Sequence, residues 1–212
     1  SSGIGAALAR QLAEAGVRVA VSARNVSSTP SHPNISLFPL DVTDEKAVQE
    51  TADAIERELG PIDLAILAAG AYEPFDAERW SIEAFTRINA VNYLGALHVA
   101  GAVWPSMKRR GVGRIAFVAS VAGYQGLPKA AYYGPTKAAL NNLAECLSME
   151  LRPHGVNVSV INPGFVETPM TAVNDFRMPF LMQPDAAALR IIKGLQVDRF
   201  EIAFPRRFAF ML

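Results

Sequence analysis

The chain has 212 residues, half of them apolar and 19% charged, and its 20 basic and 20 acidic side chains give a formal net charge of zero. That length accommodates one α/β domain with a sizeable core, and the balanced charge excludes the basic footprint of an electrostatic nucleic-acid binder. The single cysteine cannot form an internal disulfide, the three histidines are scattered without metal-ligand spacing, and there is neither a signal peptide nor an apolar run of the ~18 residues a membrane span needs.

The chain opens at Ser1-Ser2-Gly3-Ile4-Gly5 and enters a helix over 3–14 directly. Glycines at a helix start let backbone approach a pyrophosphate, and the helix N-terminus supplies amide donors. A tight turn packed on a strand is the plainer reading of three residues. The strand expected at 17–22 favours the first reading, because a dinucleotide-binding βαβ unit needs it there. Ser22-Ala23-Arg24-Asn25 at that strand's end has no acid to bond ribose hydroxyls, and Arg24 offers a fork for a 2′-phosphate. NADP(H) is therefore favoured over NAD(H), against the reading of Arg24 as a plain loop arginine. A second strand at 35–40 ends at Asp41, which could accept a bond from an adenine amino group or cap the next helical region.

A helix over 44–59 carries the stripe Val48, Ala52, Ile55 and Leu59, opens on Asp44 and Glu45 and stops at Gly60-Pro61. Strands follow at 64–69, 114–119, 156–161 and 201–204, with helices at 81–109, 133–153 and 184–193. Most of the strands are continuously apolar, as in sheets covered on both faces. The alternation predicts a doubly wound parallel sheet in a single domain. Cys146 falls in the 133–153 helix and reads as a buried structural thiol. Both ends look truncated: no strand precedes the first helix, and the chain stops inside apolar Phe208-Ala209-Phe210-Met211-Leu212. We therefore expect a further N-terminal segment carrying the first strand. A membrane-surface helix starting at Arg206-Arg207 is the lesser reading of the other end.

The most specific spacing is Tyr133-Gly134-Pro135-Thr136-Lys137, with Ser120 thirteen residues before the tyrosine. Residues i and i+4 share a helix face. A lysine cation there is expected to lower the phenol pKa from about 10 towards working pH. Such a phenol can pass a proton to or from a carbonyl or alcohol oxygen.

Together these residues resemble the classical short-chain dehydrogenase/reductase family. Ser1-Ser2-Gly3-Ile4-Gly5 resembles the second half of its glycine turn, Asp41-Val42 its adenine-contacting pair, and Leu67-Ala68-Ala69-Gly70 its Asn-Asn-Ala-Gly. Val91-Asn92-Tyr93-Leu94-Gly95, the 115–120 strand, the Tyr133/Lys137 pair and the run from Asn162-Pro163-Gly164 to Thr168 complete the series in order.

The resemblance implies a Rossmann fold and hydride transfer between NADP(H) and a carbonyl or secondary alcohol. It makes Tyr133 the general acid or base, and Lys137 its tuner and a holder of the nicotinamide ribose. Ser120 would hold the substrate oxygen, and Asn92 a water that links Lys137 to solvent by breaking regular helix bonding. Ser2, Gly3, Ile4, Gly5, Arg24, Asp41, Val42, Ala69 and Gly70 would hold the cofactor together with Tyr133 and Lys137. Pro163, Gly164, Val166 and Thr168 would orient its nicotinamide. Leu67 and Ala68 depart from the family's two asparagines, which puts the local sheet edge in question more than the chemistry. The Met- and Phe-rich stretch 168–184 is the expected lid and predicts an apolar substrate. The resemblance also implies a homodimer or homotetramer through helices 81–109 and 133–153; a cytoplasmic location is expected from the lone cysteine and the lack of a signal peptide or apolar span. The competing reading is a catalytically silent dinucleotide-binding sensor or scaffold.

Overall fold

The structure is a computed structural model that describes residues 2–205 apart from 28 and 30. Helix and strand alternate: α1 (Gly3–Glu14), β1 (Val19–Ala23), β2 (Ile35–Pro39), α2 (Glu45–Leu59), β3 (Leu64–Leu67), α3 (Ile82–Asn89), α4 (Gly95–Arg110), β4 (Gly113–Val118), α5 (Gly134–Leu151), β5 (Val156–Pro163), α6 (Pro184–Gln196) and β6 (Glu201–Phe204). All strand pairing is parallel: β1 with β2, and separately β3-β4-β5-β6 in that order. This is a parallel sheet with flanking helices in one domain.

Period-two alternation in the central strands explains why both faces are covered. On β4, Ile115 and Phe117 face α4 and α5, meeting Val103, Met107, Leu140 and Ala144, and Val156, Val158 and Val160 of β5 join them. Ala116 of β4 and Ile161 of β5 face the other way, onto Ala7 and Leu8 of α1 and Ala187, Ala188 and Ile191 of α6. Phe117, Ile115 and Ile161 are fully buried, and each contributes about 1.5–3 kcal/mol over an exposed position. Two closed faces leave the strand ends as the place for a site.

Helix α2 follows its stripe. Val48 and Ala52 are buried, Asp44 caps the start by accepting from the Ala47 amide at 3.0 Å, and Gly60 ends it at φ 89°.

Three expectations need correction. The helix foreseen over 81–109 is interrupted at Ala90–Leu94 by a π-helical turn, because the Asn92 side chain turns inward and bonds elsewhere. Strand β3 stops at Leu67 rather than 69, where the chain leaves the ladder for a loop. Cys146 is exposed, not buried. It lies about 200° around α5 from buried Ala144, so it faces outward. The C-terminal membrane reading falls on residues outside those described. Among the described residues, no helix is long and apolar enough to cross a membrane.

Candidate active site

The catalytic candidates converge at the C-terminal ends of the strands, where open α/β sheets bind ligands. Ser120 follows β4 and caps a 3₁₀ turn (Val121–Gly123), its hydroxyl accepting from the Ala122 amide at 3.1 Å. That hydroxyl also donates to the Pro163 carbonyl, a long bond of 3.4 Å that leaves it readily redirected. The Ser120 amide donates to Asn162 Oδ1 at 3.1 Å.

Tyr133 stands immediately before α5 and Lys137 one turn inside it. The Lys137 Nζ is buried, donates to the Val118 carbonyl at 2.8 Å, and lies 5.3 Å from the centre of the Tyr133 ring. Asn92, fully buried in the π-helical turn, pairs with both backbone groups of Ala71: it accepts from the amide at 2.6 Å and donates to the carbonyl at 2.9 Å. Its Nδ2 also reaches Thr136 Oγ1 at 3.1 Å, and Thr136 in turn donates to the Tyr133 carbonyl at 2.7 Å. A π-helical turn thus ties the loop after β3 to the first turn of α5.

The expected lowering of the phenol pKa does not appear. Burial pushes Tyr133 up to about 12, with the Ser120 hydroxyl beside it working the other way. Burial also lowers Lys137 to about 8. Desolvation disfavours both charged forms.

On the cofactor side, Gly3 has φ +55°, and a Cβ there would lie 2.9 Å from Thr168 Cγ2. The glycine turn therefore packs closely against the Thr168 side chain of the loop after β5, and only a glycine fits at this position. Ser2 precedes α1 exposed, a Cβ at Gly5 would lie 3.7 Å from Ala68 Cβ, and the Ile4 side chain belongs to the core against α6. Arg24 is exposed past the end of β1, near enough to Asp41 to draw its pKa down. Hydrogen bonds from Thr43 contribute more to that lowering, the amide at 3.0 Å and the hydroxyl at 2.8 Å. Asp41 thus forms a local turn, while Asp44 caps α2. The Val42 side chain packs on Gly95, and the Val42 carbonyl meets His98 Nδ1 at 2.9 Å. Ala69 is exposed, and Gly70 lies against Asn92 Oδ1, Lys137 Nζ and the Met170 methyl. Pro163 is buried, and the Gly164 amide donates to Phe204 O at 2.7 Å.

The 168–184 stretch is pinned at its neck. Val166 and Met182 bridge in parallel, Glu167 N donates to Met182 O at 2.9 Å, Met182 N donates to Phe165 O at 3.0 Å, and Gln183 holds the Glu167 carboxylate. From this neck the loop reaches the site through Asn174, which accepts from the Tyr72 hydroxyl at 3.1 Å, and through Asp175, paired with Lys129 at 2.7 Å. The Tyr72 ring meets that of Tyr133 edge-on, centroids 5.5 Å apart.

A family model described as short chain dehydrogenase matches residues 1–177. The chain belongs to the short-chain dehydrogenase family. This dehydrogenase is 36% identical over 217 residues to an uncharacterized oxidoreductase of Myxococcus xanthus, covering 99% of this chain and 86% of the relative. It is 34% identical over 197 residues to the 3-oxoacyl-(acyl-carrier-protein) reductase MabA of Mycobacterium avium, covering 92% and 73%. A Burkholderia cenocepacia short chain dehydrogenase, solved in complex with NADP, superposes with a TM-score of 0.85 at 28% identity over 95% of this chain and 83% of that one.

Several residues of the dehydrogenase site escape a motif reading. Thr136 is visible only as a filler between Tyr133 and Lys137. Gly123 follows the serine by three residues, and a Cβ there would lie 2.7 Å from the Lys137 carbonyl carbon and 2.8 Å from the Ala138 amide. Tyr72 and Asn174 meet across 102 residues of sequence, a contact no local pattern announces.

Proposed function

We propose that this chain reduces an apolar carbonyl compound with NADPH, Tyr133 giving the proton. The observation that carries this reading is the meeting of Ser120, Tyr133, Asn92 and Lys137 at one end of the strands, with the buried Lys137 Nζ 5.3 Å from the centre of the Tyr133 ring and Asn92 tied through Thr136 to the Tyr133 carbonyl. A protonated phenol is a general acid for the reduction, and its phenolate is the base for the reverse oxidation. Ser120 steadies the carbonyl oxygen through the hydroxyl that the Pro163 carbonyl holds loosely. Lys137 presents its cation beneath the Tyr133 ring, and Asn92 keeps the loop of Gly70 and Ala71 against it.

NADPH, when bound, supplies the hydride. The Gly3 turn, Thr168 and the backbone beside Ala69 and Gly70 would hold it, with Arg24 on the 2′-phosphate. The exposed Arg24 guanidinium and the NADP in the Burkholderia relative support the phosphorylated cofactor. An apolar substrate is supported by Met170, Phe176, Met178 and Phe180 on the lid and by the Mycobacterium relative's name as a 3-oxoacyl reductase. The reading includes a homo-oligomer packed through α4 and α5, supported by the exposed Ala138, Cys146 and Met149 on α5.

The test is a nicotinamide-absorbance assay against a panel of acyl, aromatic and sugar carbonyls. Tyr133→Phe is expected to lose nearly all turnover while NADPH affinity stays within a few-fold. Full activity in that variant would remove the mechanism, and best turnover of sugars would remove the apolar substrate.

A further inference from the structure

Outside the groups placed in the reaction, one polar network reaches the site from the neighbouring strand β6. Asn162, fully buried on β5, accepts from the Ser120 amide through Oδ1 at 3.1 Å and donates through Nδ2 to Glu201 Oε1 at 2.8 Å. The same carboxylate oxygen accepts from the Tyr124 hydroxyl at 2.6 Å. Tyr124 and Ser120 flank the Val121–Gly123 turn on either side. Glu201 therefore grips the serine turn at both ends, directly at Tyr124 and through Asn162 at Ser120. Strand register makes this reach natural: Glu201 pairs with Val160, whose side chain shares a face with that of Asn162.

We propose that Glu201 is a positioning residue for Ser120, acting through Asn162. This inference rests on the reading of Ser120 as the holder of the substrate oxygen. Its physical content is the polarity of one buried amide. An ionised carboxylate only accepts hydrogen bonds, so it draws the Asn162 NH₂ towards itself and leaves Oδ1 for the Ser120 amide. The flipped amide would set two donors face to face at Ser120 and two acceptors face to face at Glu201, a mismatch the fully buried Asn162 does not tolerate. Tyr124 strengthens the arrangement from the other side. Burial and the neighbouring carboxylate push its phenol up, so it remains a donor. Glu201 touches none of the reacting groups placed above; its effect is to hold the turn from which the Ser120 hydroxyl projects.

The experiment compares Glu201→Lys, Glu201→Gln and Tyr124→Phe in the full chain, using the best carbonyl of the panel. Lysine offers only donors, and it is expected to lower kcat about tenfold or more, as small misplacements of a reacting group do, with NADPH affinity within twofold. Glutamine can turn its carbonyl oxygen to Asn162 and is expected to recover most of kcat, with Tyr124→Phe between the two. Hydrogen exchange at the Ser120 amide, read by NMR, should speed up in the lysine variant and not in the glutamine one. Should the lysine variant not fold, Glu201→Ala carries the same expectation. Equal losses with glutamine and lysine, or a Ser120 amide that exchanges at the wild-type rate with lysine in place, would overturn the proposal. Tyr133→Phe run alongside separates the two readings: if it stays active, the assignment of the site fails, and the exchange rate still decides the tie between Glu201 and Ser120.

Discussion

Burial acts on Tyr133 and Lys137 in opposite directions, and a pH profile should display both. Reduction needs the phenol protonated, which holds up to about 12, and the lysine charged, which holds only up to about 8. For the reductive direction, kcat/KM is therefore expected to stay level below neutrality and to fall through about pH 8 as one proton leaves. Stability runs the other way. The folded pKa of Lys137 lies below its ordinary 10.5, so the unfolded chain binds more protons between about 8 and 10.5. That contribution therefore rises across this window and is absent below it, which melting curves at several pH values would record. Arg24 makes a second residue-scale prediction. Arg24→Ala should weaken NADPH about tenfold or more, as loss of a charge-assisted bond does, and leave NADH nearly unchanged. Equal weakening of both cofactors in titrations would refute the phosphate role.

Elements meet at this site through glycine as much as through polar bonds. The 3₁₀ turn that starts at Val121 crosses α5 so closely that Gly123 leaves no space for a methyl group against the backbone at Lys137 and Ala138. Gly123→Ala must lift the serine turn off the tyrosine helix. We expect a loss of about 1–3 kcal/mol in stability from overpacking, with a fall in kcat larger than that destabilisation accounts for, measured by denaturant melts beside kinetics. This scale also marks what the sequence could not convey. The stripe on α2, its Asp44 start and its Gly60 stop were all local signals, and the helix followed them. The spacing of Ser120, Tyr133 and Lys137 was legible for the same reason. The break at Asn92 was legible only through the family resemblance, because the pairing that accompanies it, with Ala71, lies 21 residues away in the chain. The direction of the Tyr133 shift was hidden likewise, since i,i+4 spacing specifies a neighbour and says nothing about how dry the neighbourhood is.

At the scale of the molecule, the proposed oligomer would pack through the outer surfaces of α4 and α5. Met149 is 69% exposed on α5, a large apolar side chain in water. Light scattering is expected to give at least a dimer, and Met149→Glu should shift it towards the monomer. A wild-type monomer would end that part of the reading.

The 168–184 stretch, the proposed lid, contributes at this scale too. Its ends at Val166 and Met182 lie side by side in a parallel bridge, so the intervening chain leaves and rejoins the body at nearly one point. Lengthening or replacing such a loop costs little, because closure entropy grows only slowly with length. The stretch is then a cassette, exchangeable without moving Ser120, Tyr133 or Lys137. Descendants of this gene could change diet while keeping their chemistry, and a grafted loop from another dehydrogenase is a direct route to a new substrate.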